Sequence, residues 1–157
     1  MRTISPFLWF DSQAEEAATH YVSIFSNSKI LKVARSGDAG PGPKGAVLTV
    51  HFELDGQRFT ALNGGPRFRF TEAISFVVDC KTQEDVDYFW SKLTEGGEES
   101  MCGWLKDRFG LSWQVIPTAL GEMIADPDPA KSRRAMEAML KMKKIDIAAL
   151  RAAYEGR

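Results

Sequence analysis

Residues 4–11 read Ile4-Ser5-Pro6-Phe7-Leu8-Trp9-Phe10-Asp11, a short apolar run closed by an acidic residue. The form returns in Ala73-Ile74-Ser75-Phe76-Val77-Val78-Asp79, where Asp79 stands 68 residues after Asp11. Each run is too short for a helix and suits a buried strand. Each is followed by apolar residues at helical spacing. The first set is Ala14, Ala17, Ala18, Tyr21 and Phe25; the second is Val86, Phe89, Trp90 and Leu93. Asp11 or Ser12 is the expected cap of the first helix, with Glu15 and Glu16 suited to its positive end. Asp79 is expected to open the second helix, and Gly96-Gly97 to stop it. The shift of 68 sets Leu8 on Phe76, Phe10 on Val78, Ala18 on Val86, Tyr21 on Phe89 and Phe25 on Leu93.

The intervening sequence fills out the unit. Ile30 to Ala34 reads as a strand, and the Gly- and Pro-rich residues 37–45 as a loop. Ala46 to Leu54 alternates, with Ala46, Leu48, Val50, Phe52 and Leu54 on one side and Val47, Thr49, His51 and Glu53 on the other. Asp55-Gly56 is a hairpin signal that leads into Arg58 to Leu62. Asn63-Gly64-Gly65-Pro66 ends the unit with backbone able to approach something closely. In the second half, Gly103 to Phe109 and Leu111 to Ile116 read as strands around Gly110. Gly56 and Gly110 match at a shift of 54, which sets Thr60 on Gln114 and Leu62 on Ile116. Two such units predict an α+β fold of paired modules. After Pro117 the pattern turns helical. Asp126-Pro127-Asp128-Pro129 is a stiff break, Met136, Met139 and Leu140 share a face, and Ile147, Leu150 and Tyr154 continue the spacing. The organisation expected is a single domain: module 1 over about 3–66, module 2 over about 72–117, and a helical extension over about 118–155.

Composition excludes several classes. The 157 residues carry 20 Lys and Arg against 21 Asp and Glu, a formal net charge of −1. That balance argues against nucleic acid as a partner and against a polybasic membrane anchor. No apolar stretch reaches the ~18 residues of a membrane helix. Arg2 is followed by too short an apolar run for a signal peptide. Cys80 and Cys102 are too few for a disulfide framework, which makes a reducing cytoplasm the expected compartment.

Three stretches now resemble a known family. Ile4 to Asp11 with Ala14-Glu15-Glu16-Ala17 is similar to the start of the PhnB-like proteins. Leu62-Asn63-Gly64-Gly65-Pro66 with Phe68 and Phe70 resembles their middle motif. Gly103-Trp104-Leu105-Lys106-Asp107-Arg108-Phe109-Gly110-Leu111-Ser112-Trp113-Gln114 resembles their most specific one. The likeness is read on into Asp126-Pro127-Asp128 and Met136 to Met142. These proteins belong to the vicinal oxygen chelate superfamily, with glyoxalase I, bleomycin-resistance proteins and extradiol dioxygenases. The resemblance implies two βαβββ modules enclosing a cleft, C-terminal helices, and a homodimer. It also implies the group's label, 3-demethylubiquinone-9 3-methyltransferase. The chain has no Rossmann-type nucleotide turn: the Gly- and Pro-rich residues 37–45, which hold the Gly-x-Gly-x-x-Gly spacing at Gly40, Gly42 and Gly45, join two strands and do not open a helix.

The superfamily commonly holds a divalent metal with four side chains, mostly His, Glu or Gln. The positions that match by pattern and repeat are near Ser5, Thr60, Ala73 and Gln114. Ala73 has no donor atom, and neutral Ser and Thr hydroxyls are weak ligands beside imidazole or carboxylate. No metal and no cofactor are therefore expected. With His20 and His51 the only histidines, a multi-His site is excluded.

Strand parity sets the candidate ligand-binding residues. Leu8, Phe10, Phe76 and Val78 should pack under the helices, leaving Phe7, Trp9, Ser75 and Val77 on the other face. Trp104, Lys106 and Arg108 share one side of their strand, and Leu105, Asp107 and Phe109 the other. Lys106-Asp107-Arg108 reads as a solvated charge cluster. Trp9 and Trp104 supply aromatic surface, and Ser75, Gln114, His51 and Asn63 supply polar groups. That set suits a small apolar or aromatic molecule bound without metal in the cleft between modules. The residues leave other classes open. One is an enzyme of the glyoxalase/dioxygenase kind or, by family label, a methyltransferase, with His51 beside Glu53 or Gln114 as polar catalysts. Another is a dimer with a filled cleft.

Overall fold

The computed structural model describes residues 3–157. The chain divides into two compact units, one ending at Phe70 and one spanning Thr71–Arg157.

In the first unit β1 (Phe7–Phe10) runs into α1 (Ala14–Ile24), then β2 (Lys29–Arg35), β3 (Val47–Leu54) and β4 (Gln57–Asn63). The sheet order is β1-β4-β3-β2, with β1 parallel to β4 and the other pairs antiparallel. The Asp55-Gly56 turn joins Leu54 to its partner Gln57, and both turn residues have positive φ, 48° and 75°. This is the two-residue hairpin whose twist matches the strands. The alternation in β3 falls as expected. Val50, Phe52 and Leu54 are buried with Phe59, Ala61, Leu8 and Phe10, and α1 adds Ala14, Ala17, Ala18, Tyr21 and Ile24 to this core.

The cap of α1 is a correction. Neither Asp11 nor Ser12 caps it; Gln13 stands at the N-cap and makes no side-chain bond there. The N–H of Ala14 donates instead to Asn63 Oδ1, 2.8 Å away, at the end of β4. A side chain distant in sequence thus does the work a local cap usually does. The Asn63 amide also donates to the Val47 carbonyl at 3.0 Å.

The second unit repeats the order: β5 (Ser75–Cys80), α2 (Gln83–Thr94), β6 (Glu98–Glu99), β7 (Trp104–Lys106) and β8 (Ser112–Pro117). Its sheet order, β5-β8-β7-β6, is the counterpart of the first. Asp79 does not open the helix; it lies within β5, and Thr82 caps α2 in a reciprocal capping box with Asp85. The helix ends at Thr94, and Gly96 follows with φ 75°. The strand β6 has no sequence pattern. Two glutamates form it because β7 offers an edge, and Glu98 pairs with Lys106 and Glu99 with Leu105.

Burial also shifts the helix match by one residue. Ala17, Tyr21 and Ile24 correspond to Val86, Trp90 and Leu93, all buried, so the helices align at 69 residues and not 68. Tyr21 is thus the counterpart of Trp90, and Phe89 is only half-buried.

Beyond β8 come α3 (Thr118–Ile124), α4 (Pro129–Met139) and α5 (Ile147–Tyr154). They close over Leu120, Met123, Ala135, Ile145 and Leu150, with Met139, Met142 and Tyr154 packed alongside. The expected Met136, Met139 and Leu140 face does not form as one: Met139 joins this cluster, whereas Met136 and Leu140 are exposed. The extension is tied to its own module by backbone and side chain. Cys102 N–H donates to the Met142 carbonyl at 2.7 Å and Gly103 N–H to that of Lys143 at 2.8 Å. The Gln83 amide bonds the Ile145 carbonyl and the Ile147 N–H at 3.0 and 2.8 Å.

Candidate functional site

Each sheet buries one face against its helix and turns the other away, and the ladder registers order the second face into rows. In module 1 the rows are Phe7, Thr60, His51, Lys32 and then Trp9, Leu62, Thr49, Ala34. In module 2 they are Ser75, Ser112, Lys106, Glu98 and then Val77, Gln114, Trp104. Parity therefore placed Trp9, His51, Ser75, Trp104 and Gln114 on the faces expected of them, each within its own module.

The rows correct one alignment. Phe7 faces Thr60, and its match Ser75 faces Ser112, so Thr60 corresponds to Ser112 and Leu62 to Gln114. The glycine-to-glycine match slips by two because the second hairpin is longer. Leu54 pairs with Gln57 across two residues, but Lys106 pairs with Ser112 across five.

In module 1 the polar atoms are largely engaged. His51 Nδ1 lies 3.2 Å from Thr60 Oγ1, while Glu53 pairs with Arg58 at 3.6 Å rather than with the histidine. The Trp9 indole N–H donates to the Gly65 carbonyl at 2.9 Å. The close approach allowed by the glycine loop is explained by that ring. A Cβ on Gly64 would fall inside the Trp9 indole, 2.7 Å from its Cδ2.

The four metal-matching positions are poor in metal donors. Ser5 and Ala73 are exposed, and Ala73 has no donor. Thr60 Oγ1 is bonded to His51, and the Gln114 amide donates to Ser75 Oγ at 2.9 Å. Replacing Gln114 by its register-corrected match, Ser112, only substitutes another weak neutral hydroxyl. Among the described residues no three His, Cys, Asp or Glu side chains converge as metal ligands.

Module 2 contains a recess of about 140 Å³ lined by Glu72, Glu98, Glu99, Ser100, Trp104, Leu105, Lys106 and Ser112. Lys106 Nζ pairs with Glu72. That bond holds the Glu72 carboxyl below the usual carboxylate range and pushes the Lys106 ammonium up. Glu99 turns toward the helix side, where the Trp90 indole N–H donates to it at 2.9 Å. Ser112 is 1% exposed, and its hydroxyl has no hydrogen-bond partner among the described residues. A buried hydroxyl in that state is costly unless a hydrogen-bond partner occupies the space beside it. Ser112 and Lys106 are residues that sequence reasoning did not select. The available signal was parity, which sets Ser112 with Gln114 and Lys106 with Trp104.

Asp107 overturns the reading of Lys106-Asp107-Arg108 as a solvated charge cluster. It is 3% exposed. One carboxylate oxygen accepts from the N–H groups of Phe109 and Leu111, at 2.9 and 3.0 Å, and the other accepts from the Trp113 indole at 2.9 Å. It braces the β7–β8 turn that presents Lys106 and Ser112. Cys80 adds no reactive group here, since burial pushes its thiol up to about 12.

Two four-stranded sheets of this order, each with its own helix, define the class: paired-module proteins of the vicinal oxygen chelate superfamily. Residues 2–116 match the model of the family described as 3-demethylubiquinone-9 3-methyltransferase, and the chain belongs to that PhnB-like family. A Bacillus cereus PhnB protein, described as a putative 3-demethylubiquinone-9 3-methyltransferase, is 36% identical with a TM-score of 0.69, the match covering 74% of this chain and all of the other. Protein PA1353 of Pseudomonas aeruginosa shares the fold at 20% identity and a TM-score of 0.62, over 74% of this chain and 98% of that one. So does the fosfomycin resistance protein FosX of Listeria monocytogenes, described as complexed with Mn(II) and sulfate, at 12% identity and a TM-score of 0.52 over 74% and 91%. No curated protein matches the chain. The family match stops before α3, so the likeness read into residues 126–142 lies outside it. Among the described residues no helix is long and apolar enough to cross a membrane.

Proposed function

We propose that the protein is a small-molecule-binding member of the PhnB-like family that works without a metal and takes a small apolar or aromatic ligand. The observation that carries this reading is the recess beside Trp104, where the buried Ser112 hydroxyl is left for a guest to satisfy. Trp104 supplies the apolar surface, and Gln114, held by Ser75, supplies an orienting amide on the same face. Trp9, His51 and Asn63 are the module 1 candidates. Their polar atoms are engaged within module 1: the Asn63 amide with α1 and β3, the Trp9 indole N–H with Gly65, and the His51 imidazole with Thr60. A homodimer in the cytoplasm is part of the proposal, in keeping with the family resemblance and two unpaired cysteines.

The test is a titration with benzyl alcohol, followed by amide and indole NMR signals of the labelled protein. The expected result is a saturable shift centred on Trp104 and Ser112, weakened about fivefold or more in Trp104→Ala, because one aromatic contact contributes about 1 kcal/mol. Shifts scattered over the surface, or none, would reject the recess as the site. A second reading, an enzyme, rests on the His51 imidazole beside the Thr60 hydroxyl. It would be favoured by a pH-dependent activity that is lost in His51→Ala.

A further inference from the structure

The row Ser75, Ser112, Lys106, Glu98 carries more chemistry than an apolar ligand needs. Three glutamates and one lysine line the recess. Lys106 is committed to Glu72, so their charges offset each other. Glu99 faces the opposite side of the sheet and is held by Trp90. Glu98 pairs across the strands with Lys106 and therefore stays on the recess face. The surplus charge there is negative. An anionic guest would meet carboxylates, with the only ammonium already paired. The Trp104 ring borders the same space, and aromatic faces attract cations. The Ser112 hydroxyl can accept a hydrogen bond.

We infer that the recess is a subsite for an organic ammonium, with its N–H groups directed to Glu98 and Ser112 Oγ and its apolar body against Trp104. The inference rests on the binding reading above and specifies the ligand's charge. The volume of about 140 Å³ restricts the guest to a fragment, below the ~300–1,000 Å³ of pockets for drug-sized ligands.

The probes are benzylamine, cationic at pH 7, benzyl alcohol, its neutral counterpart, and benzoate. Each is titrated against the labelled full chain while Trp104 and Ser112 signals are followed. Benzylamine is expected to bind about five- to tenfold more tightly than benzyl alcohol, the scale of one charge-assisted contact plus a cation–π contact at a partly exposed site. Benzoate is expected to bind least. Glu98→Gln should remove the preference for the amine, weakening benzylamine about five- to tenfold and benzyl alcohol less. Raising the salt should weaken benzylamine alone. Ser112→Ala should fold at least as stably, since it deletes a buried hydroxyl without a partner, yet bind benzylamine more weakly. Equal binding of amine and alcohol, with no effect of Glu98→Gln, would overturn the ammonium inference and leave the recess as a neutral site. No binding by any probe would overturn both.

Discussion

Asp107→Ala is expected to destabilise module 2 by about 4 kcal/mol, because three N–H donors lose a charged acceptor worth ~1.5–3 kcal/mol each and such losses are not fully additive. At this chain length the midpoint of thermal unfolding should fall by roughly 10 °C. Asp107→Asn separates the contributions. Its oxygen can keep the Phe109 and Leu111 bonds, but its NH₂ then faces the Trp113 indole N–H, donor against donor. The expected cost is about 2 kcal/mol, between wild type and Ala. Thermal and urea unfolding of the three proteins checks the order. A loss under about 1 kcal/mol in Asp107→Ala would contradict the brace assigned to this carboxylate.

The second large effect is expected at Gly97. A Cβ there would overlap the Lys106 carbonyl and lie 2.7 Å from the Asp107 carbonyl carbon. Those atoms are backbone, so no side-chain rotation can relieve the clash, unlike the ring that faces Gly64. The strand β6 follows directly, and it would have to leave β7. The expected cost of Gly97→Ala is about 3 kcal/mol, at the upper end of ordinary overpacking. Because Glu98 and Glu99 move with the strand, the NMR signals of Trp90 and Trp104 should shift even at temperatures where the variant is folded. Calorimetry and a heteronuclear spectrum test both parts. A melting point within about 2 °C of wild type, where a 3 kcal/mol loss predicts at least 6 °C, would contradict the packing described.

Both residues show where the sequence could and could not be read. Period-two parity located the sheet faces, because a strand that slips by one residue exposes its whole core side. Hence Leu8, Phe10, Val50, Phe52 and Val78 are buried as expected, and Trp104, Gln114 and Ser75 share a face. The same parity set Asp107 with Leu105, inside, but its charge and its charged neighbours argued for solvent. The indole of Trp113 and the turn amides that justify its burial are visible only in three dimensions. Helix alignment failed for a different reason. Ala17 and Ala18 are both small and apolar, as Phe89 and Trp90 are both large, so shifts of 68 and 69 leave equally plausible stripes. The strand match slipped by two because a glycine marks a turn without fixing its length. The strand β6 was illegible because two glutamates on an edge carry no hydrophobic pattern, and charged residues are common on such edges. The Asn63 cap was illegible because its partner lies 49 residues away.

These misses bear on the site. The polar members of the recess, Ser112, Lys106 and Glu98, lie in the segments where alignment slipped or no strand was expected. The aromatic and amide members, Trp104 and Gln114, lie on a strand pair whose faces the alternation defined. The family resemblance identified the scaffold, but the positions matched to the superfamily's metal ligands hold Ser5, Thr60, Ala73 and, once the register is corrected, Ser112 rather than Gln114. A shared fold does not transfer a site whose side chains have changed.

The most direct test of the metal-independent binding account is the metal and ligand content of one untagged, dialysed preparation, by elemental analysis and native mass spectrometry together. The account predicts no stoichiometric divalent metal, and a chain mass that gains a small organic molecule, retained from purification or supplied as benzylamine. About one divalent ion per chain, surviving dialysis, would contradict it and return the protein to the metal-dependent members of its superfamily.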